Sequence, residues 1–171
     1  MTKKEKIITF VITFVSVVAL ILLDQVTKIL VENNVNKPIT IINNFFYIEK
    51  VYNKGAAWGV GENNTLLLAC ISLIGASVAT YFAANNDYKK KPVFSISLVL
   101  IIAGAIGNMI DRFMTVFGIR QGVIDMLSFR FGSYHYPVFN IADVLLVVGV
   151  IVLAIDIIFL EERRQKCKKN T

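Results

Sequence analysis

Four apolar stretches, Ile7 to Leu23, Thr65 to Ala84, Pro92 to Ile110 and Val138 to Leu160, constrain this chain more than any other feature. Crossing a hydrocarbon layer about 30 Å thick takes roughly 20 residues at helical rise, and each stretch is close to that length and apolar enough. Counting the residues that continue them, spans are expected at about 7–28, 65–86, 92–112 and 138–160. With 56% hydrophobic residues and a mean hydropathy of +0.63, the chain is too apolar for an ordinary soluble globule. The expected fold class is a membrane all-α bundle of four transmembrane helices with small extracytoplasmic β-rich segments. Residues 1–171 are expected to form a single integral membrane domain. The first span follows Lys3, Lys4 and Lys6, as a signal peptide would, but it runs into "LLDQVTK" with no small-residue cleavage site, so it is read as a retained helix.

The net charge of +6 is distributed as topology, not as a nucleic-acid footprint. Cations cluster at Lys3, Lys4 and Lys6, at Lys89, Lys90 and Lys91, and at Arg163, Arg164, Lys166, Lys168 and Lys169. Four spans with both termini in the cytoplasm put all three clusters on the cytoplasmic side, as the positive-inside rule requires. No nucleic-acid partner is expected. Connections 31–64 and 113–137 then face outward. Cys70 lies in the second span and Cys167 in the basic tail, too far apart in depth to pair, and His135 has no companion at ligand spacing, so no metal site is expected.

The segment "PITIINNFFYIEKVYNKGAAWGV", residues 38–60, is rich in β-branched and aromatic residues and broken by "NN" and "NKG". It predicts short strands joined by turns. Phe45, Phe46, Tyr47, Tyr52 and Trp58 also suit an aromatic belt at headgroup depth, and both readings hold together if a small sheet rests on the interface. "SFRFGSYHYPVF" alternates in the same way and could add strands.

Charged groups inside spanning helices cost several kcal/mol on insertion scales, so each is a functional candidate unless it is paired or interfacial. Asp24, Thr27 and Lys28 share one helical face, and an ion pair between Asp24 and Lys28 is the structural alternative to a chemical role. Asn108, Asp111 and Arg112 repeat that spacing at the outward end of the third span, beside Gly104 and Gly107, whose small size admits a neighbouring backbone. Arg112 is permanently charged and calls for a carboxylate, a carbonyl or the polar part of a substrate. Asp111 is its nearest candidate in sequence, although i, i+1 neighbours on a helix do not face each other.

Asn140 and Asp143 stand one turn apart at the start of the fourth span, where Pro137 suits a helix beginning. Asp125 lies in the connection just before, at the same outer depth. Two carboxyls brought together cannot both ionise cheaply, so such a pair holds one proton and can work as an aspartic protease does. Asp156, near the cytoplasmic end of the fourth span and close to Arg163 and Arg164, reads as interfacial.

"DQVTK", "NKGAAWG", "GAIGNMIDR", "GVIDM" and "PVFNIAD" occur together, in the order and at roughly the spacing of one bacterial family. From the first span to the fourth, the chain resembles lipoprotein signal peptidase, also called signal peptidase II. The resemblance implies an aspartic endopeptidase that removes the signal peptide from diacylglyceryl-modified prolipoproteins, cutting just before the lipidated cysteine. It implies Asp125 and Asp143 as the catalytic pair. Asp24, Lys28, Asn53, Gly55, Asn108, Arg112, Asn140 and Ala142 are then substrate-site or supporting residues. It further implies a multi-pass protein of the bacterial cytoplasmic membrane with its active site near the outer face. No cofactor is expected, membrane lipids are partners, globomycin is an expected inhibitor, and one bundle can act as a monomer. Met126 and Leu127 follow Asp125 where the family usually has an aromatic residue, which bears on local packing or substrate preference.

Two other classes compete. A transporter would gather its polar residues near the midplane, often with internal repeats, whereas here they gather at one end. A structural subunit accounts for the ion pairs but gives Asp125 and Asp143 no reason to converge.

Overall fold

The computed structural model describes residues 2–55, 64–161 and 164. The expectations for Trp58, Cys167 and the basic tail other than Arg164 fall outside these residues. Helix α1 (Lys3–Asn34) opens on a capping box in which Thr2 and Glu5 exchange side-chain and backbone hydrogen bonds. It continues past the apolar run because nothing breaks it before Pro38, and its last turns carry Val31 and Glu32 onto the sheet described below. Helices α2 (Thr65–Ala84) and α3 (Pro92–Val116) follow, α3 with proline in its first turn and one turn more than the sequence reading gave it. Helix α4 (Ile141–Ile155) runs on into a π-helical turn, Asp156–Leu160. All four helices are long and apolar enough to cross a membrane, and Phe10, Ile74, Tyr81, Val147 and Ile158 point outward from the bundle.

The fourth helix starts later than Val138. Phe139 is held in an extended conformation, where its carbonyl accepts from the backbone N–H groups of Met126 and Leu127 and its own N–H donates to the Leu127 carbonyl. Those bonds leave Asn140 as the N-cap, so Pro137 precedes the helix without starting it.

Helix α3 is the central element and packs against the other three. Glycine makes that possible: a Cβ at Gly104 would sit 2.5 Å from the Ala142 carbonyl oxygen, and one at Gly149 would sit 2.8 Å from Ile101. The interior between helices is filled by Val17, Ala79, Leu98, Ile102, Ala103 and Leu145.

At one end of the bundle lies a four-stranded antiparallel sheet in the order β1 (Ile39–Ile42), β2 (Phe46–Asn53), β3 (Val123–Phe131), β4 (Tyr134–His135). The expected "NN" turn joins β1 to β2 with Asn44 at φ 57°, and Gly132 at φ 61° turns β3 into β4. Strand β3 threads between β2 and the end of α1, where Ile124 and Met126 pack on Val31 and Val35. Met126 is therefore a core residue of this seam, with Leu127 packed beside it. Phe46, Phe129 and Phe139 stack face to face at 4.7 and 5.8 Å, and Tyr136 meets Phe139 edge-on.

Candidate active site

Two local devices bring the acids together. The first is the start of α4, where the Asn140 side-chain oxygen accepts the Asp143 N–H at 3.0 Å while an Asp143 oxygen accepts the Asn140 N–H at 3.1 Å. This reciprocal cap fixes the Asp143 side chain at a helix N-terminus. The second is the β2–β3 ladder, which pairs Val51 with Asp125 and Asn53 with Val123 and so carries Asp125 inward. Gly122 permits the approach, since a Cβ there would meet the Asn53 backbone at 2.9 Å.

Each acid is held by amides. Asp125 accepts from Asn53 Nδ2 at 2.9 Å and from Asn140 Nδ2 at 2.6 Å. The Gly55 N–H occupies the Asn53 oxygen at 2.9 Å, which leaves the Asn53 amine free for the acid. Asp143 accepts from Asn108 Nδ2 at 2.7 Å. Asn140 Nδ2 also donates to Asn108 Oδ1 at 3.1 Å, so one fully buried asparagine contacts the other amide and both acids. Burial is the main cause that raises Asp125 to about 6; nearby Asp143 adds to the rise, while hydrogen bonds from Asn53 and Asn140 oppose it.

Beneath this layer Lys28, with its side chain wholly buried, meets Asp24 at 2.8 Å, Asp111 at 2.6 Å and Asn108 Oδ1 at 3.2 Å. The expected Asp24–Lys28 pair is present, and it extends to Asp111. The other Asp24 oxygen accepts the Ala142 N–H at 2.9 Å, tying α1 to the start of α4. Gly107 is needed there because a Cβ would come within 2.7 Å of Asp24 and 3.1 Å of Ala142. Thr27 instead donates to the Asp24 backbone carbonyl.

Asp111 and Arg112 part company, as their adjacent positions on a helix require: Asp111 faces α1, while Arg112 faces α2 and donates to the Ser72 hydroxyl at 3.2 Å. The Arg112 Nε is buried and has no hydrogen-bond partner among the described residues. Arg112 lines a cavity of about 870 Å³ together with Asn53, Gly55, Asn108, Asp125 and Asp143. Apolar side chains, among them Leu68, Ile71, Leu146 and Val147, form its walls. The cavity thus offers two carboxyls and a permanent cation at the end of a greasy channel, a setting for water-dependent cleavage of an amide that arrives from lipid.

Of the residues named from sequence, Asp125, Asp143, Asn53, Gly55, Asn108 and Arg112 line the cavity, while Asp24, Lys28, Asn140 and Ala142 lie under it. Sequence reasoning missed Gln25, which bridges Asp24 and the Gly107 carbonyl, along with Ser72 and Arg120. An amide next to a spanning-helix aspartate could have flagged Gln25; a single arginine in the loop "FGIRQG" gives no spacing signal.

Comparison with known proteins identifies the family. The signal peptidase (SPase) II family profile matches residues 16–159. A lipoprotein signal peptidase of Bacillus pumilus is 41% identical over 151 residues, covering 87% of this chain and 91% of its own. One from Clostridium acetobutylicum is 38% identical over 147 residues, covering 84% and 92%. Two solved bacterial membrane enzyme structures, both 30% identical, superpose with TM-scores of 0.74 and 0.72. They cover 90% and 86% of this chain and 90% and 92% of theirs. The family profile runs from the middle of α1 into the π-helical turn and includes both acids, and on that ground the chain belongs to the signal peptidase II family, the lipoprotein signal peptidases.

Proposed function

We propose that Asp125 and Asp143 are the catalytic pair with which this signal peptidase II hydrolyses its substrate, a prolipoprotein whose cysteine carries diacylglyceryl. The chain is a multi-pass membrane protease, and its family removes signal peptides from prolipoproteins. The observation that carries the residue assignment is that both carboxyls, one bonded by the Asn140 side-chain amide and the other by the Asn140 backbone N–H, open on a single cavity that Arg112 also lines.

The pair shares one proton. Asp125, which burial drives toward its neutral form, holds it and donates to the scissile carbonyl oxygen. Asp143 takes a proton from the attacking water, whose oxygen bonds to the carbonyl carbon. Collapse of the tetrahedral intermediate breaks the C–N bond: the proton on Asp143 passes to the leaving nitrogen while one hydroxyl of the intermediate returns its proton to Asp125, which restores the singly protonated pair. Arg112 and the amides of Asn53 and Asn108 position the substrate backbone, and the walls from α2 and α4 receive acyl chains and the signal helix. Asp24, Lys28, Asn140 and Ala142 hold this layer from below.

The chain acts as one integral unit, a monomer in the bacterial cytoplasmic membrane, in contact with lipid and inhibited by globomycin. Lys89, Lys90 and Lys91 mark the bundle end away from the sheet as cytoplasmic, which sets the acids near the outer face. A bond anchored by a lipidated cysteine lies at that depth.

The test is to incubate purified protein in detergent with diacylglyceryl-modified precursor and a chelator and to locate the cut by mass spectrometry. Cleavage just before the lipidated cysteine is expected, with the unlipidated precursor cut poorly. Equal cleavage of both precursors, or loss of activity with the chelator, would contradict the proposal.

A further inference from the structure

Buried charge extends beyond Lys28 to a residue outside the cavity. Arg120 lies in the connection between α3 and β3, its side chain only 6% exposed. One Nη donates to Asp111 and the other meets Glu32 at 3.0 Å. The loop is pinned for this, since the backbone N–H groups of Ile119 and Arg120 both donate to the Met114 carbonyl. Glu32 in turn accepts from the Tyr52 hydroxyl at 3.3 Å, which joins α1, the loop and β2 through one guanidinium. From Asp111 the contacts run through Lys28 and Asn108 to Asp143, and through Asn140 to Asp125.

Charge makes this more than a tether. Asp24, Lys28 and Asp111 are completely buried and together carry one excess negative charge directly beneath the acids. Without Arg120, Asp111 would draw the Lys28 ammonium away from Asn108, and the uncompensated charge would act on the acid pair through a dry interior. We propose that Arg120 is a positioning residue for the two acids: by taking one oxygen of Asp111 it keeps Lys28 shared with Asn108 and cancels the excess charge below the site. It does not line the cavity, so it acts through Asp111 and Lys28 and not on substrate. Other charges bear on the acids as well: Asp24 and Lys28 from α1, Asp111 and Arg112 from α3, and Lys54 beyond β2. Among these groups Arg120 is the cation that reaches Asp111 from the loop.

The inference rests on the Asp125–Asp143 assignment, and one assay separates the two. The pH profile of kcat/KM is measured on lipidated precursor for wild type, Arg120→Gln, Arg120→Lys and Glu32→Gln, each checked for folding by thermal unfolding in detergent. Loss of the cation in Arg120→Gln moves both limbs upward by about half a pH unit to one unit and lowers activity. Arg120→Lys returns the limbs toward wild type, and Glu32→Gln, which removes a negative charge from the same cluster, moves them downward by less. A fall in activity with unmoved limbs would make Arg120 a structural tether and overturn the inference. If Arg120→Gln does not fold, Glu32→Gln decides by the same criterion. Asp125→Asn and Asp143→Asn run alongside: normal cleavage by either sinks the acid assignment, whereas inert variants with unmoved Arg120→Gln limbs sink the inference alone.

Discussion

The two ends of the bundle each hold a cluster of opposite charges, and they are built on different physics. At the sheet end, Asp24, Lys28 and Asp111 have wholly buried side chains and connect through amides to Asp125 and Asp143. At the opposite end, Arg164 grips both oxygens of Asp156 at 3.0 and 2.6 Å, and Glu161 joins Arg164 to Lys91 at 2.8 Å each. That cluster ties the end of α4 to the start of α3 with side chains that reach water: Lys91 is 37% and Glu161 34% exposed. Asp156, read from sequence as interfacial, is itself buried against Arg164. A dry ion cluster is costly, and at the sheet end every side chain of the Asp24–Lys28–Asp111 group is dry, whereas at the other end Asp156 alone is buried and its partners reach water. The rim cluster is an end clasp.

The strongest way to break this contrast is Lys28→Met, which leaves Asp24 and Asp111 facing each other without their cation. Breaking one partner of a buried pair costs about 3–5 kcal/mol. Unfolding in detergent should show that loss, along with almost no precursor cleavage. A stable, active Lys28→Met protein would put both clusters in one class.

Gly104→Val tests whether the site depends on the close approach of α3 to α4. Its side chain would collide with the Ala142 carbonyl and Leu146, pushing Asn108 away from Asp143. Overpacking of this kind costs roughly 1–3 kcal/mol, and cleavage should fall more than thermal stability does. Gly75→Ala, with nothing among the described residues within 4 Å of the added Cβ, is the neutral control.

The contrast sharpens with pH, because the two ends displace carboxyls in opposite directions. Burial raises Asp125 to about 6, so the fraction of free enzyme holding the shared proton falls as pH rises through about 6. The alkaline limb of kcat/KM should lie there, and the limb of kcat should lie higher because bound substrate dries the cavity further. Hydrogen bonds from Lys91 and Arg164 lower Glu161 to about 2, so its contribution is complete above the ordinary carboxylate range and disappears only as pH falls through about 2. Unfolding temperatures between pH 5 and 8 should therefore not report on the rim cluster. Lys91→Gln is the smallest effect expected, a barely moved unfolding temperature with cleavage unchanged, as for exposed pairs generally.

What was legible in the sequence follows the same division. Apolar runs of spanning length gave the four helices, β-branched and aromatic residues punctuated by Asn43 and Asn44 gave β1 and β2, and aromatic–polar alternation in the second connection pointed to further strands. Asp125 and Asp143 stood out because carboxylates at lipid depth need a reason. Helix boundaries were less readable where tertiary bonds override local preference, as when Phe139 pairs with Leu127 and delays α4. The cap at Asn140 and Asp143 was readable in principle, since a capping side chain followed three residues later by an acid is a local signature. Arg120 was not, because its partners lie 9 and 88 positions away and only the folded chain brings them near.

Whether the two carboxyls held by asparagines perform the cleavage is decided by single-turnover release of signal peptide from diacylglyceryl-modified precursor. Wild type, Asp125→Asn and Asp143→Asn are compared at equal folded concentration with chelator present. The expected result is wild-type cleavage and a loss of roughly 10³-fold or more in each variant. Cleavage at the wild-type rate by either variant would rule out the acid pair.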